Sequence, residues 1–434
     1  MNRKERLYNT FQGKTVDRPA VNFYEINGYS ENLGEPDEYN IYSDPSWKPL
    51  IDLAREKTDR MVRTSVSVIA NGERVGIYPP CVQSIRMKEI DNSRHTYTTI
   101  KAGKRTLTSH DIREKDVNTS WCVEHLIKDL DDLKAWTAIP DNEFQGAADI
   151  SKIVQMEKDL ANTGCPMLDL ADPLCIVAYN MTMEDYTIFA MTEKEIFRAA
   201  LDKAARYTFW LTEQLTTALP GRCWRIIGPE FASVPYLPPS LFHEYVYNYD
   251  KTMAEIVNKS GGYPRIHSHG NLKAILDDIV ATGCTGLDPV EPPPQGDVKL
   301  SYVREKYGKQ LVLFGNLEAS DIENLKPELF REKVKTALDE GTRGEGRGFV
   351  LMPSACPYGS HSSAPAPRHN AKAPCRPPGA PDGRRCTAPP RKARARTFSA
   401  ARRGTSRRPP RPCRRSTEIS RGKYADRGRS VSRR

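Results

Sequence analysis

The chain has 434 residues, of which 38% are hydrophobic and 28% are charged, as in a typical folded enzyme. No run of about 18 apolar residues occurs, and the basic N-terminus is not followed by an apolar stretch, which argues against a membrane span or a secretory signal. The 10 cysteines form no Cys-x-x-Cys pair, a pattern typical of free thiols in a reducing compartment. These features predict a cytoplasmic protein.

The net charge of +10 averages two unlike segments. Residues 360–434 contain 22 Lys and Arg against 3 Asp and Glu, which leaves 43 basic and 52 acidic residues in 1–359. Because the larger segment is acidic, we expect it to bind no nucleic acid. The contrast also predicts a domain boundary between residues 359 and 360.

Residues 360–434 contain 11 prolines but only 7 Ile, Leu, Val, Met, Phe, Trp, Tyr and Cys residues together. Such a segment buries too little apolar surface to offset its chain entropy, so we expect it to be disordered. Three interpretations are open: a basic tail that binds nucleic acid or an acidic partner, an inert extension, and an out-of-frame translation. The abrupt change to an Arg- and Pro-rich composition favours the last, in which case the preceding domain has lost its final helix.

Within residues 1–359, short β-rich runs alternate with helical patterns, as they do in parallel βα units. The candidate strands are 20–26, 60–68, 166–170, 224–227, 264–267, 286–290, 311–314 and 348–352. Helices are expected at 124–136, 192–219, 240–255, 271–281 and 327–338, and residues 95–112 read as a β-hairpin turning at Ala102-Gly103. We therefore predict a (β/α)₈ TIM barrel with a hairpin inserted after strand 2; a doubly wound sheet is the alternative.

The strongest chemical signal is His267-Ser268-His269 at the end of the fifth candidate strand. Residues i and i+2 of a strand face the same side, so both imidazoles can converge on one ligand. Histidine is a common zinc ligand, and a catalytic zinc usually takes three protein ligands. The third ligand is then Cys356, Glu230 or Glu291. The alternative is that one histidine is structural while the other binds substrate.

Acidic and amide side chains follow several other strands. Glu230 and Glu291 lie beside prolines that stiffen the chain, which makes them candidate catalytic groups. Asp172 and Asn316 follow the third and seventh strands, and Asp288 lies near the end of the sixth; all three are candidate substrate-binding residues. The alternatives are a solvated rim or a salt bridge to Arg265 or Lys273 for Glu230, Asp288 and Glu291, and a tight turn for the asparagine.

Four motifs occur in order along residues 1–359. They are Asn-Arg-Lys-Glu-Arg-Leu (2–7) with Asp-Arg-Pro-Ala-Val (17–21), His-Ser-His-Gly (267–270), Gly-Asn-Leu (315–317) and Gly-Phe-Val-Leu-Met-Pro (348–353). Together they resemble the uroporphyrinogen decarboxylase superfamily. The resemblance implies a TIM-barrel enzyme with its chemistry at the carboxyl ends of the strands.

Two activities of that superfamily must be separated. The decarboxylase holds a porphyrinogen with eight carboxylates through an arginine-rich loop after the first strand. Here that loop is Glu-Ile-Asn-Gly-Tyr-Ser-Glu-Asn (25–32), and no arginine occurs between residues 19 and 54. A polyanionic substrate would be repelled by such a loop.

The sequence looks closer to the cobamide-dependent methyltransferases, which carry His-x-Cys after the fifth strand and a cysteine after the eighth. His267 matches the first of these residues, His269 stands where the branch has cysteine, and Cys356 is displaced by about one position. The resemblance implies a divalent metal, zinc above all, a corrinoid or corrinoid protein as partner, and a small methyl acceptor. The alternatives are a carboxy-lyase acting on a less anionic acid, a metal-dependent hydrolase and a non-catalytic binding barrel.

Overall fold

Eight parallel strands form the centre of the computed structural model, which describes residues 1–27, 38–115, 117–346 and 348–356. Barrel strands 1 to 8 are Ala20–Val21, Arg60–Thr64, Gly164–Ala171, Cys223–Ile227, Tyr263–His267, Gly286–Asp288, Val312–Leu317 and Phe349–Pro353. Their hydrogen-bonding order is 1-8-7-6-5-4-3-2. Strands 2 to 8 therefore pair in chain order, and strand 1 pairs with strand 8. The predicted (β/α)₈ barrel is confirmed.

Asp59 links the two strands at the ends of this order. Its main-chain N–H donates to the carbonyl of Val21 at 2.7 Å, and its carboxylate accepts from the N–H of Val21 at 2.9 Å. Arg6 and Arg18 also donate to this carboxylate, which has no exposed surface. The paired Asp59 side chain thus nearly closes the ring of strands between strands 1 and 2, which share no ladder of hydrogen bonds among the described residues.

Helices surround the barrel. Their bounds are Arg3–Phe11, Lys48–Lys57, Leu130–Thr137, Ser151–Leu160, Pro173–Ala178, Met183–Thr192, Lys194–Ala218, Pro239–Phe242, Asn248–Lys259, Leu276–Ala281, Leu300–Tyr307, Ala319–Asn324 and Pro327–Thr342. A π-helical turn, His243–Tyr247, joins the eighth of these to the ninth. Short 3₁₀ turns occur at Ile41–Ser43, Pro45–Trp47, Pro80–Val82 and Pro229–Ala232.

The first helix, Arg3–Phe11, closes the N-terminal end of the barrel. Asn2 and Glu5 form a capping box that starts it. Its Leu7 and Phe11 pack with the apolar side chains that fill the barrel interior, among them Phe314. Because this end is filled, a substrate has access only at the opposite end, where the carboxyl ends of the strands meet.

The chain that connects barrel strand 2 to barrel strand 3 forms two antiparallel sheets. The smaller contains Ser67–Ala70, Glu73–Arg74 and Ala147–Asp149. The larger contains Gln83–Ile90, Ser93–Ala102, Arg105–Glu114 and Ser120–Glu124. The predicted hairpin is its central pair, and Ala102 pairs with Arg105 across the turn.

Several boundaries differ from the sequence prediction because local contacts outcompete the pattern. The 60–68 strand leaves the barrel after Thr64, since Ser67–Ala70 pairs in the smaller antiparallel sheet. The 124–136 helix begins only at Leu130, because the Asp129 side chain caps it by accepting from the N–H of Asp132. Strand 1 and the 271–281 helix are likewise shorter than predicted.

The chain divides into units of residues 1–365 and 366–434, and every described residue belongs to the first. The predicted tail 360–434, its boundary with the barrel and the missing final helix lie outside the described residues. So do residues 28–32 of the loop after strand 1. In the part of the chain that is described, no helix combines the length and apolarity needed to span a bilayer.

Gly286 gives a test of packing at strand 6. A Cβ placed there would lie 2.9 Å from the Cβ of Arg265 and 2.9 Å from the Phe314 ring, closer than carbon atoms pack. We expect Gly286→Ala to lower the free energy of unfolding by about 1–3 kcal/mol through overpacking, measured by urea denaturation. Gly76→Ala is the control, because nothing lies within 4 Å of its Cβ position. Equal stability of the two variants would contradict this account.

Candidate active site

Charged side chains occupy the barrel interior just below the open end. Arg225 of strand 4 forms a bidentate ion pair with Asp169 of strand 3, with N–O distances of 2.6 and 2.8 Å. Arg63 of strand 2 reaches the same carboxylate at 3.3 Å and pairs with Glu25 at 2.7 Å. Arg265 of strand 5 is almost fully buried and lies over the Phe314 ring, 4.2 Å from its centroid. Strands 2, 4 and 5 therefore each contribute an arginine, and Asp169 and Glu25 pair with the first two of these.

The two predicted histidines meet at the carboxyl end of strand 5. Their Nε2 atoms are 3.1 Å apart, with the ring planes at 88°. The Nδ1 atom of His267 lies 2.9 Å from Asp288, and the Nδ1 atom of His269 lies 2.8 Å from Glu291. The other oxygen of Glu291 accepts from the N–H of Gly270 at 2.8 Å. Both imidazoles are thus held at Nδ1 by a carboxylate, and their Nε2 atoms converge.

The two histidines differ in their protonation tendencies. Burial lowers the pKa of His267, although Asp288 acts in the opposite direction. Burial also acts to lower the pKa of His269, but the hydrogen bond and charge of Glu291 outweigh it and raise that pKa. Asp288 is fully buried, which by itself would raise its pKa; the adjacent Arg265 and His267 outweigh burial and lower it. The site therefore favours a neutral His267 beside an ionised Asp288.

Glu318, which directly follows strand 7, is a further acid at this end of the barrel. Burial, together with the negative charge of Glu291, raises its pKa to about 7. One of its oxygens lies 3.3 Å from the Ser354 hydroxyl, and the other is buried without a hydrogen-bond partner among the described residues. A carboxyl group with this pKa can accept or release a proton near neutral pH.

Glu230 lies within electrostatic range of the histidine pair. It follows strand 4 in the turn Pro229–Ala232, and its carboxylate accepts from the N–H of Gly228 at 3.0 Å. Its negative charge contributes to raising the pKa of His269. The structure thus brings both histidines into contact with Asp288 or Glu291, and Glu230 acts on His269 through its charge. The catalytic roles of Glu230 and Glu291 stay predictions.

The other candidates have different surroundings. Asp172 has no exposed surface and caps the helix Pro173–Ala178 by accepting from the N–H of Cys175. Asn316 is half-buried on strand 7. Cys356 interacts with Glu25, and burial followed by that negative charge raises the pKa of its thiol to about 11. The substrate-binding and ligand roles proposed for these residues stay predictions, and the contacts of Asp172 are those of a helix cap.

Sequence reasoning named Arg265 as a possible salt-bridge partner of the acids but missed the other charged residues of the strands. Arg63, Asp169 and Arg225 each stand within a mostly apolar strand, and Glu318 directly follows one. That placement was the available signal, since a charge in a buried strand requires a partner. The pattern reveals that partners exist but not which residues they are.

The described residues supply two converging imidazoles but no complete metal centre. Across 1–27, 38–115, 117–346 and 348–356, no group of three or more His, Cys, Asp or Glu side chains is arranged to hold a metal ion. Metal–imidazole bonds are about 2.0–2.1 Å long, so one ion can bind two nitrogens that are 3.1 Å apart. The carboxylates on Nδ1 are the usual supports of metal-binding histidines. The pair therefore fits a divalent ion as two of its ligands.

Comparisons with known proteins identify the family. The sequence model of uroporphyrinogen decarboxylase (URO-D) matches residues 113–362, more than half of the chain. The chain belongs to the URO-D family. This confirms the predicted superfamily, but membership of a family on a common fold does not determine the reaction. A search of curated proteins finds no match.

Two solved structures give weaker similarities to this URO-D family chain. A methyltransferase from Methanosarcina mazei is 15% identical, with 82% of this chain and 93% of that one covered and a TM-score of 0.49. A putative fructose-1,6-biphosphate aldolase from Coccidioides immitis is 13% identical, with 43% and 63% covered and a TM-score of 0.23. Neither similarity carries an argument about activity.

Proposed function

We propose that this URO-D family protein is a metal-dependent methyltransferase that moves a methyl group between a corrinoid and a small acceptor such as a thiol. The observation that carries the proposal is the pair of facing Nε2 atoms, 3.1 Å apart, whose rings are each fixed by a buried or half-buried carboxylate. Zinc is the divalent ion we expect, with His267 and His269 as its protein ligands.

The chemistry that a bound divalent ion supplies is to lower the pKa of a thiol so that a thiolate forms near neutral pH. The protein side chains do the rest. Asp288 and Glu291 hold the two rings, and we expect Glu318 to receive the thiol proton. In the transfer, the acceptor sulfur forms a bond to the methyl carbon, the cobalt–carbon bond breaks, and its electron pair stays on cobalt.

The charges at the open end disfavour the alternative of uroporphyrinogen decarboxylation. Three arginines at this end of the described barrel are already paired with acids: the exposed Arg63 with Glu25, and the buried Arg225 and Arg265 with Asp169 and Asp288. A substrate with eight carboxylates needs uncompensated cations. These pairs are better suited to holding the side chains of the site in place.

The proposal also includes a protein partner and a cellular compartment for the enzyme. A corrinoid is large, so we propose that a corrinoid protein presents it at the open end of the barrel. The cysteines of the described residues are all free thiols, which supports the cytoplasm as the compartment.

Metal binding by the purified protein is the first test. We expect wild-type protein to bind about one zinc ion per chain after dialysis, and His267→Ala to lose it, because a single imidazole is a weak ligand. Methyl transfer from methylcobalamin to 2-mercaptoethanol, followed by the visible spectrum of the corrinoid, should disappear in the same variant. Metal content is measured by mass spectrometry of the dialysed protein.

The matched control is His95→Ala. His95 also contacts a second histidine, His110, at 2.8 Å, but the pair lies on the antiparallel sheet. We expect this variant to keep its zinc and its activity. Absence of zinc from wild-type protein would overturn the metal proposal. If the enzyme still converted its substrate in the presence of a chelator, a carboxy-lyase of this family would be favoured instead.

A further inference from the structure

Two fully buried carboxyl groups lie behind the candidate active site. Asp172 caps the helix Pro173–Ala178, and Asp250 lies on the helix Asn248–Lys259, three residues after the π-helical turn His243–Tyr247. Neither has any exposed surface. The helix Pro173–Ala178 packs against both the π-helical turn and the Glu230 turn, so the two acids belong to one packed region.

Three of their four oxygens have no hydrogen-bond partner among the described residues. These are one oxygen of Asp172 and both oxygens of Asp250. The remaining oxygen accepts from the main-chain N–H of Cys175. An ionised carboxylate without partners in such a place would carry a large desolvation cost, whereas a carboxylic acid can donate a hydrogen bond to its neighbour.

No cation among the described residues compensates these two acids. The titratable groups that face the pair are Glu230 from the neighbouring turn, Cys175, Tyr186 from the next helix, and Cys284 before strand 6. None of them carries a positive charge. The chain also approaches Asp172 closely just after strand 4, where a Cβ placed on Gly228 would lie 2.1 Å from a carboxylate oxygen of Asp172. No room remains for a hydrated cation between Asp172 and that strand end.

We propose that Asp172 and Asp250 are both protonated at neutral pH, and that loss of a proton at alkaline pH loosens the packing of the helices behind Glu230. The pair is then a pH-sensitive element next to the site, independent of the proposed methyl transfer. Ionisation would also place a second negative charge beside Glu230.

The electrostatics of the two groups agree with this geometry. Burial, followed by the charge of Asp250, raises the pKa of Asp172 well above its usual value. Burial, followed by the charge of Glu230, raises the pKa of Asp250 in the same direction. An acid whose pKa is raised by folding stabilises the protein most below the pKa of the unfolded chain, about 4. That contribution is lost as the pH rises toward the raised value.

Asparagine imitates the protonated acid, so Asp250→Asn tests the proposal. We expect the melting temperature at pH 8 to rise by about 2–4 °C above wild type and to match it near pH 4. Glu255→Gln is the control, because Glu255 is an exposed acid on the same helix. Its melting temperature should follow wild type at both pH values.

Infrared spectroscopy gives a second readout that does not depend on stability. Wild-type protein at pH 7 should show the C=O band of a buried carboxylic acid, and Asp250→Asn or Asp172→Asn should lose intensity there. A variant that melts lower than wild type at both pH values, with the acid band unchanged, would overturn the proposal. An unchanged band in the Asp172→Asn variant alone would also contradict it, even if Asp250→Asn failed to fold.

Discussion

Replacing Asp288 with alanine is expected to destabilise the barrel by about 3–5 kcal/mol, because it leaves a buried charge without its partner. Asp288 has no exposed surface, lies 3.2 Å from the guanidinium of Arg265 and holds the Nδ1 atom of His267 at 2.9 Å. Two nitrogens of that arginine already lack partners among the described residues. Removing the carboxylate would therefore leave the buried guanidinium of Arg265 without its anionic partner.

The same substitution should weaken zinc binding by about 10–100-fold, since the carboxylate fixes the ring that presents Nε2. Urea denaturation and calorimetric titration with zinc measure the two effects separately. Asp288→Asn retains the shape but not the charge, so we expect an intermediate loss in both. Asp288 also has a lowered pKa, so its contribution to stability is present above the ordinary pKa of aspartate and is lost as the pH falls below it.

Asp297→Ala is the matched control for Asp288. This aspartate lies in the segment after strand 6, of which Asp288 is the last residue, but it is exposed and accepts from the N–H of Lys273 at 3.0 Å. Its removal should change stability by less than about 1 kcal/mol and leave zinc binding intact. Equal losses in the two variants would show that the buried ion pair has no special role.

Glu318 is expected to set the pH dependence of methyl transfer. Its pKa of about 7 means that the fraction able to accept a proton rises with pH through neutrality. The rate of thiol methylation should therefore rise with a midpoint near pH 7. Glu318→Gln should slow the reaction by about 10²–10⁴-fold and remove this ascending limb, as loss of a general base does.

Glu323→Gln controls for a general effect of charge on this part of the barrel. Glu323 is exposed on the helix Ala319–Asn324, which directly follows Glu318. We expect its rate and pH profile to match wild type. If Glu318→Gln retained the midpoint near pH 7, another group would have to be the proton acceptor. Initial rates between pH 5.5 and 9 at saturating thiol decide between these outcomes.

Most of the barrel could be predicted because its strands are short apolar runs bounded by turn residues. All eight candidate strands contribute to the ring, and the hairpin turns at Gly103-Lys104, one residue after the predicted Ala102-Gly103. The ends of elements were less predictable. Asp129, for example, caps a helix within a stretch that the pattern assigned to the helix itself. Capping depends on one side-chain hydrogen bond, which hydrophobic periodicity does not encode.

The candidate site was predictable in outline but not in its pairing. The spacing of His267 and His269 was enough to expect convergence, and the structure brings their Nε2 atoms to 3.1 Å. Cys356, expected beside them, instead interacts with Glu25. Its neighbours depend on how the chain leaves strand 8, which no local pattern specifies.

The sequence by itself determined the alternation of strands and helices and the strand ends that carry histidines and acids, because both follow from local periodicity. Only the tertiary structure decided which groups meet. His267 pairs with Asp288 across 21 residues, and His269 with Glu291 across 22. It also revealed the arginines of the barrel interior as partners of buried acids. These contacts depend on the register between neighbouring strands and on closure of the ring, which arise only when all eight strands have assembled.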